Sequence, residues 1–211
     1  MKAPLILIPL VLSATLAAAE PEGYLQAGVM GTAQPAGTAN HRVSPAISGT
    51  TVGLAVAGGV FVTRTLAVEG EVVAGPAIST PQHFHYDWTL DYTGQSRDVF
   101  LGANVRWGPA AHLELVGGGG LAFSTFAERD RGRTDFFPVP HTTTEPDQVE
   151  TDRQPALNGG IAVPLPVSSR VEIVPAFTVR WVKRSADGLG AYSGVGSYAY
   201  QFGGTVRFKF D

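Results

Sequence analysis

From residue 197 to residue 210 the chain alternates without a break. Tyr198, Tyr200, Phe202, Gly204, Val206, Phe208 and Phe210 take the even positions; Ser197, Ala199, Gln201, Gly203, Thr205, Arg207 and Lys209 take the odd ones. Successive side chains of a β-strand point to opposite faces, so this segment has one apolar face and one polar face. It runs about fourteen residues, where a strand of a globular protein averages roughly 5–6. Aromatics stand at both ends of the apolar face, as in a strand that crosses a bilayer.

The start of the chain reads as an export signal. Met1-Lys2 leads into an apolar run over residues 3–19, broken by Pro4 and Pro9 and ending in Ala17-Ala18-Ala19. A short positive start, an apolar stretch and small residues at its end predict a signal peptide over 1–19, cleaved before Glu20. The run is short for a helical span of about 20 residues. A single domain over 20–211 is expected to follow. There is no Cys, so neither a lipid anchor nor a disulfide is expected.

Charged residues make up 16% of the chain, below the roughly 25% of soluble domains. The net charge of −3 and the lack of a basic tract exclude nucleic acid as a partner. No later stretch approaches 18 consecutive apolar residues, which excludes a helical membrane bundle.

Period two recurs along the chain, and eight strands are expected at about 22–32, 49–62, 65–76, 95–107, 112–126, 153–165, 170–183 and 196–210. Their apolar sets agree in parity: Leu25 and Val29, then Val52, Leu54 and Val56, then Val68 and Val72, then Leu101 and Val105. Leu115 and Leu121, Leu157 and Ile161, and Ile173 and Phe177 continue the pattern. The opposite faces carry glycine and alanine interrupted by charge. The connections alternate too. Those after the second, fourth and sixth strands are tight, while the others are long, over about 33–48, 77–94, 127–152 and 184–195. Short periplasmic turns and long outer loops form the outer-membrane pattern, and closure of the sheet leaves no edge for lipid to meet.

The fold expected is all-β: an eight-stranded antiparallel up-and-down transmembrane β-barrel. Phe123, Trp181, Tyr198 and Tyr200 fall near the long loops and Trp107 near the short turns, giving two aromatic girdles at the headgroup levels. A soluble lipocalin-type barrel is the rival, with its apolar face inward around a ligand. Its outer face would need to be rich in charge, whereas here that face is mostly glycine and alanine.

At this point the chain resembles the small outer-membrane β-barrel proteins of Gram-negative bacteria, the OmpA-transmembrane-domain and OmpX-like group. The stretch Gly53-Leu54-Ala55-Val56-Ala57-Gly58-Gly59-Val60-Phe61-Val62, a short turn and Leu66-Ala67-Val68-Glu69-Gly70-Glu71-Val72 carry the likeness. So does the last strand, where Gly204, Val206, Phe208 and Phe210 match the insertion signal read by the outer-membrane assembly machinery. The chain departs from that signal by ending in Asp211 rather than in an aromatic. It stops with the barrel, so no periplasmic peptidoglycan-binding domain is expected. The resemblance implies a monomeric cell-envelope protein of the bacterial outer membrane.

The parity sends nine charges into the lumen: Glu69, Glu71, Asp98, Glu114 and Glu172 facing Arg106, Arg180, Arg207 and Lys209. Buried charges must be paired and hydrogen-bonded, so a salt-bridge plug is expected, with a narrow ion pathway as the alternative. His83-Phe84-His85, with Asp87 or His141, falls short of a zinc ligand set. The glycines at 117–120 lack the Lys-Ser/Thr of a phosphate loop. Residues 190–194 miss the spacing of a nucleophile elbow. No His-x-Ser stands on a strand as a lipid A deacylase would require. No cofactor, metal or catalytic set is therefore expected.

The function expected is structural or surface-interactive, through loops 77–94 and 127–152. The second of these holds Phe136-Phe137-Pro138, and the first holds Phe84, Tyr86, Trp88 and Tyr92. A small-solute or ion channel, a soluble ligand-binding barrel and a lipid A-modifying enzyme are the alternatives. Outer-membrane lipid is the expected partner, together with an extracellular ligand at the loops. Leu101→Arg is expected to cost about 2–4 kcal/mol, with Gly102→Ser much milder.

Overall fold

A strand with one apolar face must hide that face from water and pair both its edges, and a sheet closed on itself in lipid satisfies both demands. The computed structural model describes residues 22–37, 47–85, 88–134, 141–144, 148–184 and 195–210. The segment 1–19 read as a signal peptide lies outside the described residues. So do Tyr86, Asp87, the Phe136-Phe137-Pro138 motif, Asp211 and most of the connections 33–48 and 184–195.

The strands are β1 (Gly23–Gln34), β2 (Gly49–Phe61), β3 (Leu66–Ala74), β4 (Ile78–His85), β5 (Trp88–Ala110) and β6 (Leu113–Thr134). They continue with β7 (His141–Thr144), β8 (Gln148–Ala162), β9 (Leu165–Pro166), β10 (Val171–Val182) and β11 (Tyr198–Phe210). Eight of them close a ring in the order β1, β2, β3, β5, β6, β8, β10, β11, each antiparallel to its neighbours, with β11 returning to β1.

The ring is staggered. Paired residues lead from Gly23 to Val60, Val68, Val105, Gly117, Gly159, Val179 and Tyr200, and arrive back on β1 at Ala33, ten residues from the start. That shear tilts the strands by about 40° and narrows the interior to what side chains can fill. The tight ends are fastened locally. Val62 N donates to Leu66 O at 2.8 Å, and Val167 N donates to Val171 O at 2.9 Å.

The apolar sets face outward. Leu54 is 64% exposed, Leu157 59% and Leu101 51%, while Tyr24, Phe100 and Arg207 inside are at most 1% exposed. This excludes the lipocalin arrangement, because the side chains that would have to be inside are outside.

Two of the expected long loops are corrected. Residues 77–94 contain β4 and the start of β5, and residues 127–152 contain the end of β6, all of β7 and the start of β8. The strand expected at 95–107 therefore runs from 88 to 110, and the one at 112–126 from 113 to 134. The β5–β6 pairing continues outward from its short turn as far as Trp88 and Thr134, and β4 and β7 take up the free edges on either side. Thr89, Tyr92, Thr93 and neighbours of strand-favouring type keep the backbone extended, and pairing satisfies its polar groups. The strand expected at 153–165 is likewise β8 with the short β9 beyond it.

Candidate functional site

The lumen is filled in layers. At the short-turn end Lys209 Nζ lies 2.6 Å from Glu172 Oε1, and Arg207 Nη1 lies 3.1 Å from Glu172 Oε2. Arg207 then grips Glu114, and Arg106 Nη1 donates to Glu114 Oε2 at 3.0 Å. Arg106 Nε donates to Glu69 Oε2 at 2.7 Å, an oxygen that also accepts from Tyr24 Oη at 2.9 Å and Gln26 Nε2 at 3.1 Å. Carboxylates and guanidinium groups alternate through this cluster, so each buried charge meets its opposite directly. The Arg207 guanidinium also lies over the Tyr24 ring, 4.9 Å from its centroid.

Glu71 stands in the middle layer and accepts from Asn104 Nδ2 at 3.1 Å and Asn158 Nδ2 at 3.4 Å. Arg180 approaches it only to 3.8 Å, and its Nε has no hydrogen-bond partner. Its guanidinium lies 3.7 Å from the centroid of the Phe100 ring, so an aromatic face supplies much of its stabilisation. Around Phe100 an apolar layer of Met30, Ala55, Val73, Ala122, Ala156 and Val182 crosses the lumen.

Above that layer Arg184 holds the outer mouth. Its guanidinium donates to Asp98 Oδ2 at 2.8 Å and to Ser124 Oγ at 2.7 Å, and its Nε donates to Gly196 O at 3.3 Å. Ile47, Ile78, Phe126 and Val195 pack over it as a buried cluster. Charge pairs, an apolar layer and this cluster are thus stacked along one axis. Two cavities inside, among the described residues, measure about 40 Å³ and about 20 Å³. A larger space of about 290 Å³ is an open bowl at the short-turn mouth, lined by Arg64, Glu172 and Lys209 among others.

All nine lumen charges singled out from the sequence point inward on these strands. Among the described residues Asp98 forms no direct ion pair with the other eight; its partner is Arg184, which the sequence placed in the connection after the seventh strand. Extending the inward parity of Glu172 and Arg180 by two steps past Val182 reaches Arg184. Tyr24, Gln26 and Phe100 were also missed, although their parity opposes that of Leu25 and Leu101.

Of the other residues singled out, Trp107, Tyr198 and Tyr200 are exposed on the outer wall, and Phe123 and Trp181 half-exposed there. Phe208 and Phe210 are exposed at the opposite end of β11, with Gly204 and Val206 between. His83 Nδ1 lies 2.6 Å from Asp91 Oδ1 above the rim. Among the described residues no three potential metal ligands cluster. His112 Nδ1 lies 3.2 Å from Pro164 O at the short-turn end.

A closed antiparallel ring with an apolar outer wall and paired charges inside defines a membrane-spanning β-barrel. The chain has the fold of the small outer-membrane β-barrel proteins. It is similar to the attachment invasion locus protein Ail of Yersinia pestis, with a TM-score of 0.52 and 10% identity over 91% of this chain and 100% of that one. It is equally similar to a major outer membrane protein of Thermus thermophilus, with a TM-score of 0.52 and 13% identity over 91% and 100%. At these identities the likeness is one of fold. No protein-family model matches the sequence, and no curated protein matches it.

Proposed function

We propose that this chain is exported through a cleaved signal peptide and resides in a bacterial outer membrane. There it acts as a closed scaffold that presents a surface-binding sheet. The observation that carries this is the continuation of β4, β5, β6 and β7 above the ring. The rim lies at Gly49 and Ile78, and the β4–β5 hairpin runs seven residues further to His85, about 24 Å along the strand at a rise of about 3.4 Å per residue. Such a sheet displays backbone edges and side chains well clear of lipid, on a rigid base. The lumen beneath it is layered with ion pairs and apolar side chains, which argues against a solute pathway.

Two experiments test the two halves. Cells displaying the chain are compared, on immobilised extracellular-matrix proteins and glycans, with cells displaying a form in which residues 80–94 are replaced by a two-residue turn. Loss of retention in the shortened form supports the surface role, and equal retention overturns it. Purified barrel in a planar bilayer is expected to show no steady porin-scale current; a large stable conductance would establish a channel instead.

A further inference from the structure

The outer wall carries charge in one sector. Among the described residues, the outward positions between the short turns and the outer rim hold Arg97 on β5, Arg153 on β8 and Lys183 just past β10, all exposed, and no carboxylate. Each is the first outward residue beyond the apolar run of its strand: past Val99, past Pro155 and past Trp181 respectively. The corresponding positions across the ring are Ala33, Thr50 and Ala74, all uncharged. Three independent strands therefore place a cation at one level, on one side.

The register brings them together. Arg97 pairs with Thr125, which pairs with Thr151, while Arg153 pairs with Phe123 one step further along the same two strands. Lys183 N donates to Pro155 O at 2.9 Å. Strand spacings of about 4.8 Å and a rise of about 3.4 Å per residue put the Cα of Arg153 about 8 Å from that of Lys183 and about 12 Å from that of Arg97. Thr125 and Thr151 lie between the arginines with their hydroxyl oxygens 3.4 Å apart. The Arg153 guanidinium rests over the Phe123 ring, 5.8 Å from its centroid.

We propose that this sector binds the phosphate groups of an anionic lipid of the outer leaflet. The reading rests on the membrane-embedded barrel proposed above. Cations at the edge of an apolar band sit at headgroup depth, where they attract anionic headgroups. Guanidinium groups and hydroxyls are the donors that phosphate oxygens accept from. The apolar wall below, with Leu121, Leu157 and Trp181, receives the acyl chains of the same molecule. One lipid thus meets both chemistries, which a free anion in solution does not.

The test uses the purified full barrel in phosphatidylcholine nanodiscs doped with lipid A, either with its phosphates or dephosphorylated, and native mass spectrometry to count retained lipid. Phosphorylated lipid A is expected to be retained over the dephosphorylated form, with retention falling about fivefold for each of Arg97→Gln, Arg153→Gln and Lys183→Gln. Arg64→Gln, on a periplasmic turn, is expected to change nothing. Retention by the three variants equal to that of the unaltered barrel, or equal retention of the two lipids, overturns the proposal. Displacement of the lipid by inorganic phosphate at matched ionic strength would also overturn it, by making the site one for a free anion. Raising salt on the unaltered protein gives a readout independent of substitution, and retention that does not weaken counts against the proposal. Gel mobility of the same samples, unheated against boiled, reports separately on whether the barrel is embedded.

Discussion

Arg207 on β11 and Glu114 on β6 close on each other across the lumen by two parallel hydrogen bonds, Nη1 to Oε1 at 2.7 Å and Nη2 to Oε2 at 2.8 Å. Their strands are not neighbours in the ring. The pair therefore ties opposite walls together, and the fork of the guanidinium fixes the direction of approach.

Removing the Glu114 carboxylate leaves Arg106 and Arg207 facing each other with a buried excess of positive charge. Glu114→Ala is expected to lower stability by about 3–5 kcal/mol, read from the urea midpoint of the vesicle-inserted barrel by tryptophan fluorescence. A loss under about 1 kcal/mol would mean that the cluster does not hold the walls.

Arg180 is the opposite case. Its nearest carboxylate oxygen is 3.8 Å away and its Nε is unpartnered, so burial costs it more than pairing returns. Arg180→Met keeps the length of the side chain against Phe100 and is expected to be neutral or stabilising by about 1–4 kcal/mol. Arg207→Met, measured alongside, is expected to be strongly destabilising; similar values for the two would contradict the difference in pairing.

Leu101 stands on the lipid face near the middle of its apolar run, and Leu101→Arg is expected to cost about 2–4 kcal/mol. The expectation of a mild Gly102→Ser is corrected by the structure. A Cβ at Gly102 would run into the Phe100 ring and the Gly119 carbonyl oxygen. Its cost is expected at about 1–3 kcal/mol, recovered in part when Phe100 is shortened to Leu. Full tolerance of the serine in the presence of Phe100 would refute this.

Closure itself is testable on a gel. Unheated outer-membrane fractions are expected to show a compact, faster band that shifts on boiling, because the ring has no free edge from which to unravel. Recovery of the protein in the soluble periplasmic extract would contradict the outward apolar wall.

Parity was legible because it is local: Val206, Phe208 and Phe210 declare their face with no knowledge of any other strand. Glu69, Arg106 and Arg207 were legible as interior charges for the same reason. Arg184 was not, since it lies two residues past Val182, where β10 ends and alternation gives no further vote. The length of β6 was hidden as well. Residues 127–134 are polar on both faces, and above the membrane a strand needs no apolar face, only a partner. In 88–94 the alternation of Trp88, Leu90 and Tyr92 with Thr89, Asp91 and Thr93 was present and was passed over.

Alternation and the tight turns were enough to mark eight strands, each with one apolar and one polar face, because a period of two is written residue by residue. That the apolar faces lie outward was decided by the closed ring. Which charge meets which was settled by the stagger of ten residues around the ring. That stagger is a property of all eight pairings together, and it brings Arg207 to Glu114, 93 residues away, and Arg184 to Asp98, 86 residues away. A single strand carries no information about its level against the opposite wall, so these contacts exist only once the ring has closed.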